Sequence, residues 1–178
     1  MSDPIKYIFR FLLFLLIQAL VLNHIPPLHR FITPYLYFLF LLWLPFSVSR
    51  MGLLLAGFVL GFCLDLFTKT PGLHTSASLL VAYLRPFLIN LMVPKDTREL
   101  TLGSPSWQSM GGISYLLFVV LLTLVHHAWL ILIEWMSFGN FLYFTGKVIG
   151  TTLISLLLIM ITELIFRPFK KANRRSFS

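Results

Sequence analysis

The chain consists of long apolar stretches separated by short polar breaks. Most of these stretches are apolar on all sides, and a helix that spans a bilayer needs roughly 20 such residues. The alternation of apolar and polar positions that a membrane β-barrel requires is not the pattern here. We therefore predict an all-α, polytopic membrane bundle in a single domain, residues 1–178, with about six transmembrane helices at 5–23, 34–48, 51–67, 77–93, 113–136 and 141–166.

Prolines and hydroxyl residues mark the predicted ends of these spans. The first span follows a short basic start, and because no small-residue cleavage site comes after it we expect an uncleaved helix. Thr33-Pro34 predicts the start of the second span. Thr75 or Ser76 is a candidate cap of the fourth span, and Pro86 predicts a bend in its middle.

Composition and charge agree with a membrane protein. The 178 residues are 58% hydrophobic and 11% charged, whereas a soluble domain carries about 25% charged residues. The net charge of +8 does not indicate nucleic acid, because five of the 14 Lys and Arg residues lie in a basic tail, 167–178, directly after the last span. The single cysteine, Cys63, excludes an intrachain disulfide.

The positions of Lys and Arg predict the orientation. With six spans both termini lie on one side, and that side also collects Lys6, Arg10 and Arg50 as well as the basic tail. Cytoplasmic segments carry the excess of Lys and Arg in membrane proteins. We therefore expect cytoplasmic termini and a cytoplasmic polar loop, 94–112, with a short interfacial helix around Trp107.

One helix face in the third span carries the most informative polar pattern. Gly57, Gly61, Asp65 and Lys69 are four residues apart and so share a face. The glycines allow a second helix to approach closely. A carboxylate in an apolar helix is costly, so we expect Asp65 to face protein, with Lys69 as its partner. A turn follows, built from Pro71, Gly72, Leu73 and His74.

Other polar residues lie deep in predicted spans. Arg85, in the middle of the fourth span, predicts either a polar cavity or a pair with a carboxylate, for which Asp65 is the nearest candidate. Glu163 and Arg167 have the spacing of an i,i+4 ion pair.

The two adjacent histidines of the fifth span do not indicate a metal site. His126 and His127 point about 100° apart on a helix, whereas metal ligands on one helix favour i,i+4 spacing. Histidines that are hydrogen-bonded in the core, or that face lipid, are the simpler interpretation. Nucleophile, P-loop, dinucleotide and metalloprotease motifs do not occur in the sequence, so we expect no catalytic residue, metal or cofactor.

The residues around Asp65 resemble a known family. Gly57-x-x-x-Gly61-x-x-x-Asp65, then Pro71-Gly72-Leu73-His74 and Tyr83-Leu84 in the next span, resembles the central signature of the rod shape-determining protein MreD. The length, the span number and the cytoplasmic termini are also similar. The resemblance implies a fold like that of the substrate-binding subunits of energy-coupling-factor transporters.

The resemblance further implies a function in the bacterial inner membrane. A protein of this family is a non-enzymatic subunit of the elongation complex that binds MreC, a bitopic protein, and helps regulate cell shape and peptidoglycan synthesis. Its indirect partners are MreB, a RodA-type glycosyltransferase and a class B penicillin-binding transpeptidase. We expect the MreC helix to pack on Gly57–Gly61 or on a second close-packing pair, Gly146–Gly150, and the Asp65–His74 turn to orient its periplasmic part.

Two other functions stay open from the residues. In a substrate-binding subunit of a vitamin-type transporter, a pocket open to the outside would be lined by Arg85, Asp65, Asn90 and His126. An enzyme that acts on lipid-linked intermediates would need converging acid, base or metal ligands. The six acidic residues are scattered over different segments and do not provide them.

Overall fold

A computed structural model describes residues 3–24, 32–93, 103–135 and 141–166, and all regular secondary structure in these ranges is helical. Five helices are long and apolar enough to cross a membrane: Ile5–His24, Arg50–Thr68, Leu73–Met92, Gly112–Trp135 and Phe141–Phe166. The predicted class, a helical multi-pass membrane bundle, is confirmed. The predicted basic tail, 167–178, with Arg167, and the polar residues of 94–102 lie outside the described ranges.

The long helices begin and end close to the predicted positions. The first, α1 (Asp3–Leu16), continues through a π-helical turn (Ile17–Val21) and a 3₁₀ turn (Leu22–His24). The remaining elements are α2 (Leu39–Leu42), α3 (Arg50–Thr68), α4 (Leu73–Met92), α5 (Trp107–Met110), α6 (Gly112–Trp135) and α7 (Phe141–Phe166). The short α5 is the helix expected around Trp107, and α4 runs through Pro86 without interruption.

Helices α3 and α4 form an antiparallel hairpin with very close backbone contact. A Cβ atom at Gly61 would lie 2.4 Å from the Cα of Thr75, and one at Gly57 would lie 3.0 Å from the Ser78 carbonyl oxygen and 3.0 Å from the Cβ of Ala82. Both glycines therefore pack against the chain's own next helix. The prediction that an MreC helix occupies the Gly57–Gly61 face needs correction, because α4 already covers it.

A second packing feature is the segment 34–45, here called the return segment, whose residues are all buried. Its start lies beside Ser155, which accepts a hydrogen bond from the Tyr35 N–H at 3.0 Å. Its end lies beside Glu163, which accepts one from the Trp43 indole N–H at 2.5 Å. Eight helical residues separate these two contacts, or about 12 Å along α7. The return segment therefore runs through the bundle in the direction of α7.

The predicted transmembrane helix at 34–48 is wrong. Residues 32–36 are not helical, so Thr33-Pro34 does not start a helix, and only the four residues of α2 are α-helical in this stretch. The continuous apolar pattern of this stretch indicates that it is buried. A buried helix and an irregular buried segment have the same pattern, so the pattern does not distinguish them. Two prolines, Pro34 and Pro45, bracket the segment, and neither can donate a backbone hydrogen bond.

Polar side chains of the surrounding helices satisfy the backbone of the return segment. Gln18 of the π-helical turn after α1 accepts from the Leu36 N–H at 2.8 Å and donates to the Pro34 carbonyl at 3.1 Å. At the other end the Arg85 guanidinium of α4 donates to the Leu44 carbonyl. Arg85 thus binds backbone carbonyl groups, and the predicted pair with Asp65 is wrong.

Replacing Gly61 by Ala tests the hairpin contact. The added methyl group would meet α4 backbone, which cannot rotate away, so we expect Gly61→Ala to destabilise the protein by about 1–3 kcal/mol. Gly146→Ala is the matched control, because within the described part of the chain a Cβ there meets nothing within 4 Å. The measurement is the thermal unfolding midpoint in mild detergent. Equal midpoints for the two variants would contradict the close contact.

Replacing Arg85 by Met tests the support of the return segment. Met keeps much of the apolar volume but leaves the Leu44 carbonyl without its donor, a loss that costs about 1–3 kcal/mol for a buried group. We expect a lower yield of folded protein and a lower unfolding midpoint. Lys69→Met, which removes an exposed positive charge, is expected to behave like the wild type.

Candidate functional site

The turn between α3 and α4 is organised around the carboxylate of Asp65. Backbone N–H groups donate to it from Gly72 (3.0 Å), His74 (2.8 Å) and Thr75 (3.0 Å), and the Thr75 hydroxyl donates at 2.6 Å. The Thr70 hydroxyl lies 3.3 Å from the same group. Because the first N–H groups of a helix have no partner within it, the carboxylate acts as an N-terminal cap of α4.

This geometry corrects two predictions about the turn. Lys69 is not the partner of Asp65. It ends α3 in a left-handed conformation with φ of 57°, and its side chain is exposed. Helix α4 begins at Leu73, earlier than expected, and its cap comes from Asp65 rather than from the side chain of Thr75 or Ser76. The cap was missed because it is contributed by the preceding helix.

The remaining turn residues have distinct positions. Pro71 and Gly72 are exposed, and Gly72 adopts a φ of +86°, which favours glycine. Leu73 packs against the core, and the His74 side chain is buried. The turn therefore presents a small exposed tip above a buried histidine.

Below the turn lies a buried cluster of histidine and tyrosine side chains from three parts of the chain. The Tyr37 hydroxyl of the return segment lies 2.8 Å from Nε2 of His126 and 3.3 Å from Nδ1 of His74. A hydroxyl carries one proton, so it donates to one ring nitrogen and accepts from the other. Phe38 stacks on His126 with ring centroids 4.3 Å apart.

His127 completes the cluster on the side of α7. Its Nδ1 lies 3.2 Å from the Thr152 hydroxyl and its Nε2 lies 3.3 Å from the Ser155 hydroxyl. Ser155 in turn accepts the Tyr35 N–H. Both predicted histidines are therefore buried and hydrogen-bonded, and within the described ranges no group of three or more His, Cys, Asp or Glu residues is arranged to hold a metal ion.

A buried carboxylate near the other end of the return segment was not predicted. Glu163 accepts hydrogen bonds from the Trp43 indole N–H and from the Tyr115 hydroxyl, and so joins α6, α7 and the return segment. Arg10 of α1 lies over the Trp43 ring, 5.7 Å from its centroid. The sequence suggested only a local pair between Glu163 and Arg167, because the indole partner is 120 residues away.

The residues proposed for a transporter pocket do not converge. Asp65 is engaged by the turn, and His126 lies in the buried cluster. Arg85 binds the end of the return segment, and Asn90 lines an open groove near the end of α4. From His74 to Arg85 along α4 is eleven residues, or about 16 Å. Asp65 and His126 therefore lie toward the turn, whereas Arg85 and Asn90 lie toward the other end of α4.

The second predicted close-packing pair, on α7, is more open than the first. A Cβ atom at Gly146 would meet no described residue within 4 Å, whereas one at Gly150 would lie 3.2 Å from Ile32. The helix surface around Gly146 is exposed in this single chain and includes Leu142 and Ile149.

Comparisons with protein-family models, with curated proteins and with solved structures gave no match.

Replacing Tyr37 by Phe tests the buried cluster. The change removes one hydroxyl and leaves two buried imidazole nitrogens without their shared partner, so we expect a destabilisation of about 1–3 kcal/mol. Tyr83→Phe is the matched control, because Tyr83 is 68% exposed. Thermal unfolding in detergent measures both. A Tyr37 variant as stable as the Tyr83 variant would show that the hydroxyl contributes nothing.

Proposed function

We propose that the chain is a non-enzymatic membrane subunit of the MreD type. It binds MreC in the bacterial inner membrane and helps regulate cell shape and peptidoglycan synthesis. Through MreC it is linked to MreB, a RodA-type glycosyltransferase and a class B penicillin-binding transpeptidase. This proposal rests first on the sequence signature at residues 57–74.

The observation that carries the proposal is the coherence of that signature in space. Gly57 and Gly61 allow the close approach of α4, and Asp65 binds the N–H groups at its start. His74 then reaches from the turn to the Tyr37 hydroxyl. The residues that carry the resemblance thus act together as one structural unit, which is what a shared fold requires.

We further propose six membrane crossings, with the return segment as the second. Five long helices and one buried segment would bring both chain ends to the same face. In support, Arg10 of α1 and Phe166 at the end of α7 both pack on Trp43. The excess of Lys and Arg at this end favours a cytoplasmic location for it.

For MreC binding we propose the exposed surface of α7 around Gly146. The Gly57–Gly61 face is filled by α4, whereas Gly146 is open to a partner. A glycine there would let a single transmembrane helix approach the α7 backbone. The Asp65–His74 turn would lie on the opposite membrane face from the chain ends, where the extracytoplasmic part of MreC begins.

The transporter alternative has less support. It requires Arg85, Asp65, Asn90 and His126 around one ligand, whereas Asp65 and His126 lie toward the turn and Arg85 and Asn90 lie toward the other end of α4. The hydrogen bonds of Asp65, Arg85 and His126 are made to the chain's own backbone and core, without a substrate.

Co-purification with membrane neighbours tests the proposed function. We expect the tagged full-length chain, extracted in mild detergent, to recover an MreC protein identified by mass spectrometry. Gly146→Leu should reduce that recovery at least tenfold while leaving the unfolding midpoint near the wild-type value, because no described residue lies within 4 Å of a Cβ atom at this exposed position. Gly146→Ala should have a much smaller effect.

Gly61→Leu serves as the misfolding reference. It should lower both the unfolding midpoint and MreC recovery, because the larger side chain meets α4 backbone. Normal MreC recovery by Gly146→Leu would reject the α7 surface. Recovery of an ATPase with a coupling subunit instead of MreC would reject the function and favour the transporter alternative.

A further inference from the structure

An apolar groove of about 380 Å³ lies between α3 and α4 at the end where α3 begins. Its walls are formed by Leu54 of α3 and by Ala82, Tyr83, Leu84, Pro86 and Phe87 of α4. At its end, Arg50 of α3 and Asn90 of α4 also contribute to the lining. An apolar groove with a cation and an amide at one end matches an amphiphile with a polar head.

The groove opens toward the surrounding bilayer. Tyr83 is 68% exposed and Phe87 is 65% exposed, and both lie on a helix apolar enough to cross a membrane. Arg50 is exposed at the first position of α3, where a transmembrane helix meets the headgroup layer. The charge therefore lies at the depth of a lipid phosphate, and the apolar walls lie at the depth of its acyl chains.

The dimensions favour an occupant that is thinner than a helix. A helix with its side chains is about 10–12 Å across. Helices α3 and α4 approach so closely that a Cβ at Gly57 would already lie 3.0 Å from Ala82. The space left outside this contact suits a flexible hydrocarbon chain.

A second groove supplies an internal comparison. It lies between α1 and α3, has a volume of about 510 Å³ and is lined by residues that include Phe11, Phe40 and Val59. Its lining contains no charged side chain. It can accept hydrocarbon, and because none of its described lining residues is charged we expect it to select less strongly for an anionic head than the first groove does.

We propose that the α3–α4 groove binds an anionic phospholipid. One acyl chain lies against Leu54, Pro86 and Phe87, and the phosphate is bound by the Arg50 guanidinium with the Asn90 amide beside it. This site is separate from the proposed MreC surface on α7 and does not depend on the proposed function.

Native mass spectrometry of the full chain tests the site. The purified protein in mild detergent is titrated with phosphatidylglycerol and, separately, with phosphatidylcholine carrying the same acyl chains. We expect the wild type to retain phosphatidylglycerol about fivefold more strongly, since one basic residue near a headgroup has about this effect. Arg50→Gln should abolish this preference, and Leu54→Trp, which fills the groove, should weaken the binding of both lipids.

Two variants at the other end of α3 are the matched controls. Lys69→Gln removes an exposed charge and Leu66→Trp enlarges an exposed apolar side chain, and neither residue lines the groove. Both should bind lipid like the wild type. Thermal unfolding in detergent confirms that each variant is folded before titration.

The possible outcomes separate this site from general attraction to charge. Loss of the phosphatidylglycerol preference in Arg50→Gln alone supports it. An equal loss in Lys69→Gln, or no preference in the wild type, would overturn it. Unchanged lipid binding in a folded Leu54→Trp variant would also overturn it. A photoreactive amino acid in place of Phe87 gives a further test. A crosslink from it to a partner helix, rather than to lipid, would also overturn the proposed lipid site.

Discussion

The structure depends on hydrogen bonding for a backbone that is buried but not helical. Non-helical backbone at membrane depth is tolerated only where protein or a water-filled cavity supplies the missing partners. In the return segment, Gln18 satisfies the beginning, the single turn of α2 satisfies the middle and Arg85 satisfies the end. Each buried N–H or carbonyl left alone would cost about 1–3 kcal/mol. These polar side chains are therefore requirements of the fold.

The α3–α4 hairpin has the same need for hydrogen-bond partners, here for the backbone N–H groups at the start of a helix. The first N–H groups of α4 lie beside a membrane-spanning bundle, and the Asp65 carboxylate supplies their acceptors from the preceding helix. This works only if the two helices are close, which Gly57 and Gly61 allow. The glycines and the carboxylate are thus coupled, because a larger side chain at Gly61 would also move the N–H groups away from Asp65.

The sequence predicted those features of the fold that depend on the length of apolar stretches and on the spacing of residues along one helix. The five long helices and the inward-facing Asp65 follow from apolar length and from the cost of polar groups in lipid. The four-residue spacing of Gly57 and Gly61 predicted a close helix contact, but it did not identify α4 as the partner. The irregular course of residues 34–45 did not follow, because apolar composition reports burial and not conformation. Nor did the partners of Arg85 and Glu163, which lie far along the chain. Partners are set by tertiary packing, and local spacing does not encode them.

This distinction bears on how polar residues inside a membrane protein are interpreted. An intramembrane charge is by default a candidate for function, and Arg85, Asp65 and His126 together suggested a ligand pocket. In the structure each is bound to a different part of the chain's own backbone or core. Two features of the bundle surface are available for binding other molecules, as far as the described residues show. They are the helix surface at Gly146 and the exposed Arg50 beside its groove. Partner and lipid binding are therefore best sought on the surface of this bundle, and its buried polar groups are best understood as its scaffold.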